Sequence, residues 1–202
     1  MITSLNTIGQ NQKYFEGKIS YKFTFKSDKI ANSEKLLTPI FGNGSILYFR
    51  EGNYRHEYDG GLFEFDLYRK ADNKFYQKKW NNDTIYWNDC GIPGEKVQDF
   101  QFTPKTDTIL GIICDRLFIK YNDNSEIHYY NSDSIRTNPV WFENFIFNDE
   151  NLIDRKEKSI YLKNEQFFDS FTIIENATKI TTEVISTDKF KLPTNPILVY
   201  QK

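Results

Sequence analysis

The sequence predicts a mainly β protein, a single, strongly twisted antiparallel sheet forming a half-open barrel with one or two short helices. Three observations carry that reading. Aromatic residues make up 17% of the 202 residues (18 Phe, 13 Tyr, 3 Trp), the composition that pleated, half-buried surfaces favour. The stretch GKISYKFTFK places Ile19, Tyr21, Phe23 and Phe25 on one face and Lys18, Ser20, Lys22, Thr24 and Lys26 on the other, which is the period of a sheet. Turn formers then interrupt similar runs at short intervals along the rest of the chain.

The elements follow in order. Residues 1–13 are polar and lack this alternation, so they are expected to be a flexible N-terminus outside a single β-rich domain spanning 14–202. Their end, TIGQ, resembles the last part of a Bacteroidetes-type secretory signal cleaved before Gln10 and starting upstream of Met1; an ordinary flexible terminus is the alternative. After the first strand, residues 28–41 (DKIANSEKLLTPIF) predict a short helix ending before Pro39, because proline disfavours helical backbone in the residue preceding it. SILYF and YRHEY read as a hairpin about Gly52 and Asn53. Residues 62–90 read as three strands punctuated by ADN and NND, with Phe63, Phe65 and Leu67 on one face and Tyr76 and Trp87 following on the neighbours.

DTILGIICDRLF, residues 107–118, reads as one strand containing Gly111 and Cys114. It continues into a hairpin that pairs Leu117 and Ile119 with Ile127 and Tyr129. TNPVWFENF offers Asn138 as an N-cap and Pro139 at the first helical position, where its missing N–H is harmless. A one- or two-turn helix is expected there, packing Trp141 or Phe142 and Phe145 on the Ile19–Phe25 face. FTIIENATKITTEVI closes the meander. No linker or fixed-period repeat divides the chain, so eight to eleven strands are expected in one sheet.

Charge excludes one class of partner. The 26 basic and 28 acidic residues are interspersed and leave a net charge of −2, so no single-sign field would recruit nucleic acid or an anionic membrane. No segment approaches the roughly 20 apolar residues of a transmembrane helix.

Catalytic and metal motifs are missing from the pattern. Two cysteines without C-x-x-C spacing, and His56 and His128 on separate hairpins, make a poor zinc set, and neither cofactor nor metal is expected. His56 and Glu57 are neighbours in a strand and point to opposite faces, so they do not make an acid/base pair. The aspartates at 83, 89, 99, 107, 115 and 123 sit at turns and strand ends, where Asp caps backbone. With no nucleophile, base and oxyanion donor together, the chain is not expected to be an enzyme. Three N-x-S/T matches at Asn43, Asn82 and Asn176 carry meaning only in a eukaryotic secretory pathway.

Cys90 and Cys114 are expected to form a disulfide between neighbouring strands, closing a loop worth roughly 3 kcal/mol in the chain-entropy model; two buried thiols are the alternative. A disulfide and a signal-like start would together place the protein in the periplasm or outside the cell.

DTILGIICDRLFIKY, then EIHYYNSD, then NPVWF, together with FEGKISYKF, YFREGNYRHEY and DKFKLP, resemble the pattern of small secreted Bacteroidetes proteins of the GLPGLI-type group and its relatives. Where the naming motif would stand, this chain has ENFIFNDENLI. The resemblance implies a layout similar to the half-barrels that carry lipoproteins and lipids across the periplasm. On that basis Tyr21, Phe23, Phe49, Phe65, Trp141 and Phe145 are the candidate ligand-facing residues, as a lipid or acyl-chain site on the concave face. The same aromatics would equally serve as a solid core. The alternative function is a cell-envelope interaction module, an adaptor or inhibitor meeting a partner protein through a sheet edge or an aromatic patch.

Overall fold

Alternation and tight turns build almost everything in the chain. Residues 14–201 are described by a computed structural model, and the expected flexible segment 1–13 lies outside the described residues. The strands are β1 (Gly17–Lys26), β2 (Gly44–Arg50), β3 (Asn53–Tyr58), β4 (Phe63–Arg69), β5 (Lys74–Lys79), β6 (Thr84–Asp89), β7 (Val97–Ile109), β8 (Ile112–Tyr121), β9 (Glu126–Arg136), β10 (Ser159–Phe167), β11 (Thr172–Thr182) and β12 (Ile197–Tyr200). Two α-helices, α1 (Ser33–Phe41) and α2 (Glu150–Glu157), and three 3-10 turns complete the described residues.

All twelve strands belong to one sheet in the order β12-β6-β5-β4-β3-β2-β1-β11-β10-β9-β8-β7. Two meanders, β1 to β6 and β7 to β11, are sewn together where β1 pairs with β11. Every pairing is antiparallel except that of β12 with β6, which is parallel. β12 and β7 are the free edges of the sheet, which does not close into a barrel among the described residues.

The link from β6 to β7 shows how far this sheet must bend. In a flat sheet these strands would lie ten strand spacings apart, about 48 Å. Yet the chain from Asp89 to Val97 reaches at most about 29 Å when fully extended. The sheet is therefore curled, and the link crosses its open side. It is pinned on the way: Asn148 Oδ1 accepts from Glu95 N at 2.9 Å, Asp149 Oδ2 accepts from Val97 N at 2.8 Å, and Cys90 O accepts from Ile146 N at 2.8 Å.

Both faces of the sheet bury apolar side chains. On the concave side Ile19, Tyr21, Phe23 and Phe25 join Leu47, Phe49, Tyr68, Phe142 and Phe145 in the largest cluster. The sequence expected the Pro139 segment to pack on the Ile19–Phe25 face; Phe142 and Phe145 share the cluster of those residues, and the ring pairs of the segment reach β2 and β4, with Phe142 5.8 Å from Tyr68, Phe145 stacked 4.5 Å from Tyr68, and Trp141 6.0 Å from Phe49. On the convex side Phe65, Leu67, Tyr76 and Ile85 are covered by Ile185 and Phe190 from the segment after β11. Leu117, Ile119 and Tyr121 close a third cluster with Ile153 of α2. The expected pairing of Leu117 with Tyr129 and Ile119 with Ile127 is present.

Several local expectations are corrected. DTILGIICDRLF is a hairpin rather than a single strand: Leu110 and Gly111 have φ of 52° and 79°, the two-residue turn whose twist matches its flanking strands. Glu51 and Gly52 (φ 49° and 82°) form the same turn between β2 and β3. α1 runs through Pro39 to Phe41, because Leu37 is buried and Gly42 N donates to Thr38 O at 2.8 Å, completing another turn. A bulge between Phe63 and Phe65 breaks their shared parity, so Phe63 packs near Tyr58 while Phe65 joins the convex cluster.

The disulfide expectation is also corrected. Cys90 and Cys114 are unbonded and fully buried. Because β7 follows β6 across the open side rather than as a hairpin, β6 and the Cys114 strand β8 stand nine positions apart in sheet order, with eight strands between them. Burial pushes the Cys90 thiol up to about 12 and raises that of Cys114 as well, so neither is a reactive thiolate near neutral pH.

Two tests follow from this packing. Native protein treated with iodoacetamide at pH 8 should stay unlabelled, and unfolded protein should take two adducts with or without reductant; a reductant-dependent difference of two adducts would restore the disulfide. A Cβ on Gly52 would stand 2.6 Å from Trp141 Cβ, so Gly52→Ala should lose about 2 kcal/mol or more from strain at positive φ and overlap. Trp141→Ala should lose about 3 kcal/mol. Chemical denaturation of the double variant should show a loss smaller than the sum of the two, because the overlap disappears with the ring.

Candidate functional site

The curled sheet and α2 line an open cavity of about 420 Å³, well within the range of small-molecule sites. Strand parity decides what faces it. In β3, Tyr54, His56 and Tyr58 point inward, while Arg55 and Glu57 pair at 2.8 Å on the outer face, where Lys189 Nζ also meets Glu57 at 2.9 Å. Asp66 of β4, Tyr129 of β9, Tyr161 and Asn164 of β10, and Glu175 of β11 complete the sheet wall. The helical period puts Glu150, Asp154 and Glu157 on one side of α2, facing the cavity, and leaves Arg155 and Lys156 exposed.

The site therefore holds five carboxylates and no Lys or Arg among its lining residues. Among the described residues, none of the five takes part in an ion pair. Asp66 accepts from Tyr58 Oη at 2.7 Å and from Gln77 Nε2 at 3.0 Å. Glu175 accepts from Tyr161 Oη at 2.8 Å, and Tyr21 Oη donates to the Tyr161 carbonyl at 2.7 Å. These side chains are packed deep in the fold, and the partial surface they retain opens on the cavity.

Burial disfavours charge on all of them. It raises Glu175 to about 7 and Asp66 to about 6, where the bonds from Tyr58 and Gln77 hold Asp66 back. Glu150 and Asp154 are both raised by burial, and the Glu150 charge adds to the shift at Asp154. Glu157 is raised by burial and by both helical neighbours. Asn131 lies close enough to offset this slightly, although its Nδ2 makes no hydrogen bond of normal geometry. His56 is pushed down to about 4 by burial, so it is neutral at physiological pH, stacked between Tyr21 and Tyr58 with Ser45 Oγ 3.4 Å from Nδ1.

Some polar atoms here have no protein partner. Asn164 Oδ1, Thr137 Oγ1 and Glu157 Oε1 belong to cavity-lining residues and lack any hydrogen bond. Asn164 and Thr137 are each only 3% exposed, where an orphaned polar atom costs about 1–3 kcal/mol unless something else satisfies it.

Of the residues singled out in the sequence, Phe49 lines the cavity directly. Tyr21, Phe23, Trp141 and Phe145 pack in the surrounding concave core. Phe65 is on the convex face beneath the Arg55 guanidinium, 3.7 Å from the ring centroid. The carboxylates escaped the sequence reading. The signal for three of them was Glu150, Asp154 and Glu157 at i, i+4 and i+7 around Ile153, an acidic stripe continuous with an apolar position. Comparison with protein-family models and with curated proteins returned no match.

The carboxylates invert the usual pH dependence of stability. A carboxyl whose folded pKa exceeds its unfolded value stabilises fully below the unfolded value, and that contribution is lost as pH rises through the folded one. His56 acts in the opposite sense, but only between its ordinary value of 6.5 and about 4. Above pH 6.5 the carboxylates act alone, so the ligand-free protein should melt at progressively lower temperature from pH 6.5 to 8 in calorimetry. Glu175→Gln keeps an acceptor for Tyr161 and should raise stability at pH 8 by on the order of 2 kcal/mol. It should have little effect at pH 5.

Proposed function

We propose that this protein is a non-catalytic binding protein of the periplasmic or extracellular type that holds a small molecule between its curled sheet and α2. The observation that carries the reading is the cavity of about 420 Å³ in which Asn164 and Thr137, buried almost completely, keep unpartnered polar atoms. A solid core would have collapsed around apolar groups. The carrier layout expected from the sequence supports the position of the ligand. The wall changes its chemistry: a fatty acyl carboxylate would meet five other carboxylates, so the ligand is polar and its apolar part lies on tyrosine and phenylalanine rings.

A thermal-shift panel of anionic, neutral and cationic small molecules tests this, with Gln166→Trp as a variant that fills the cavity from β10. At least one class should stabilise the wild-type protein and fail to stabilise the variant. If no compound stabilises the wild type, or if the shift survives the filling, the binding reading falls.

A second reading, a cell-envelope interaction module, is favoured by β12. All four of its residues are exposed at a sheet edge (Ile197 58%, Leu198 46%, Val199 41%, Tyr200 41%), and such an edge is a template for another strand. Leu198→Lys should leave ligand stabilisation intact if the cavity is the functional site, and the edge takes its place if that stabilisation is lost.

A further inference from the structure

Resting on the binding reading, we infer that the cavity takes a small organic polycation, a diamine or oligoamine, whose ammonium groups bridge the carboxylates of α2 and those of the sheet. The charge pattern is the first reason. Five carboxylates line one cavity with no ion pair and no lysine or arginine among the lining residues, and the histidine in the wall is neutral. Buried carboxylates persist in a fold when they are protonated or when a cation meets them.

The second reason is independent of charge. Asn164 Oδ1 and Thr137 Oγ1, in side chains each 3% exposed, can both accept hydrogen bonds and receive none from the protein. A ligand rich in N–H donors supplies what they lack, and the buried Glu157 Oε1, itself without a hydrogen-bond partner, would accept from the same ligand. An acyl chain supplies nothing.

The third reason is spacing. Among the described residues no three His, Cys, Asp or Glu side chains converge on a point where one metal ion could sit. The carboxylates fall into two groups instead. Glu150, Asp154 and Glu157 stand on α2, whereas Asp66 on β4 and Glu175 on β11 stand on the sheet wall. Tyr129 of β9 lines the same cavity as both groups. A single ion cannot serve two separated groups. A flexible chain with a cation at each end can, with its methylenes on the tyrosine rings, whose faces also attract ammonium.

Association carries its own proton balance. The ligand enters as ammonium and keeps its protons; carboxylic acids of the empty cavity ionise as it binds and release theirs to the buffer. Facing the α2 carboxylates from the sheet are Tyr54, Tyr129 and the neutral His56, none of which supplies a competing positive charge at pH 7.5.

Isothermal titration with spermidine at pH 7.5 and about 150 mM NaCl, where exposed-surface attraction is screened, tests the inference in phosphate and in Tris. The expected result is saturable one-to-one binding whose observed heat differs between the buffers by the heat of proton release. Asp154→Asn and Glu175→Gln, each removing one charged partner, should weaken binding about tenfold or more while melting no lower than the wild type at pH 8. Spermidine binding that both variants retain unchanged would mark surface adsorption and overturn the inference. Should a neutral or anionic compound instead bind in a manner abolished by Gln166→Trp, the binding reading stands and the polycation falls. Absence of binding by spermidine and by every panel member removes both.

Discussion

The connection from Asp89 to Val97 governs the architecture. Joining the second strand of a twelve-strand sheet to the last one through so few residues is possible only if the sheet bends back on itself. Curvature then creates an interior, and the open side of that interior has to be covered. The segment between β9 and β10 does so, and the same connection is hydrogen-bonded to it through Glu95 and Val97. The topology that separates Cys90 from Cys114 is thus also what makes a cavity. Closure here comes from a strap and a helix, and the two free edges of the sheet never have to meet.

Curvature also explains how the two faces divide their labour. The convex side is a dry layer, Phe65, Leu67, Tyr76 and Ile85 under Ile185 and Phe190, bordered by ion pairs such as Arg55 with Glu57. Ring-cation contacts border it too, with Lys189 over Tyr48 at 4.0 Å and Arg55 over Phe65 at 3.7 Å. The concave side is apolar along β1 and β2 and turns acidic towards α2. Stability is supplied by the first kind of surface and given up by the second, the usual relation between a scaffold and a site.

Much of the scaffold was legible because its causes are local. The alternation of β1, the pairing of Leu117 with Tyr129, and the Asn138 cap, whose Oδ1 accepts from Val140 N at 3.1 Å, each depend on a few consecutive residues or one turn. What escaped depends on distant parts of the chain. A period of two says that Phe65 and Leu67 share a face, but in a sheet buried on both sides it does not say which face is concave. Pro39 is accommodated because the helix around it has tertiary contacts that outweigh a local preference. Glu150, Asp154 and Glu157 look like solvated residues until the sheet curls over them; an acidic stripe on a short helix acquires its chemistry only from what faces it. The cysteines were paired because they are the chain's only two, with an apolar flank at Cys114 and a signal-like start, and none of these reveals a strap that sets their strands far apart in the sheet.

α2 belongs to an excursion, residues 137–158, that leaves the sheet at β9 and returns at β10. Its backbone adds nothing to strand register, yet it contributes three of the five acidic groups. Strand register and most of the cavity's acidic groups are consequently written in different stretches of the chain, although the excursion also supplies core through Phe142, Phe145 and Ile153. Replacement of this one cassette, with Phe142, Phe145 and Ile153 kept, would change the charge that lines the cavity while the strand pairings stayed as they are, so the chemistry of the interior can vary by exchange of a loop.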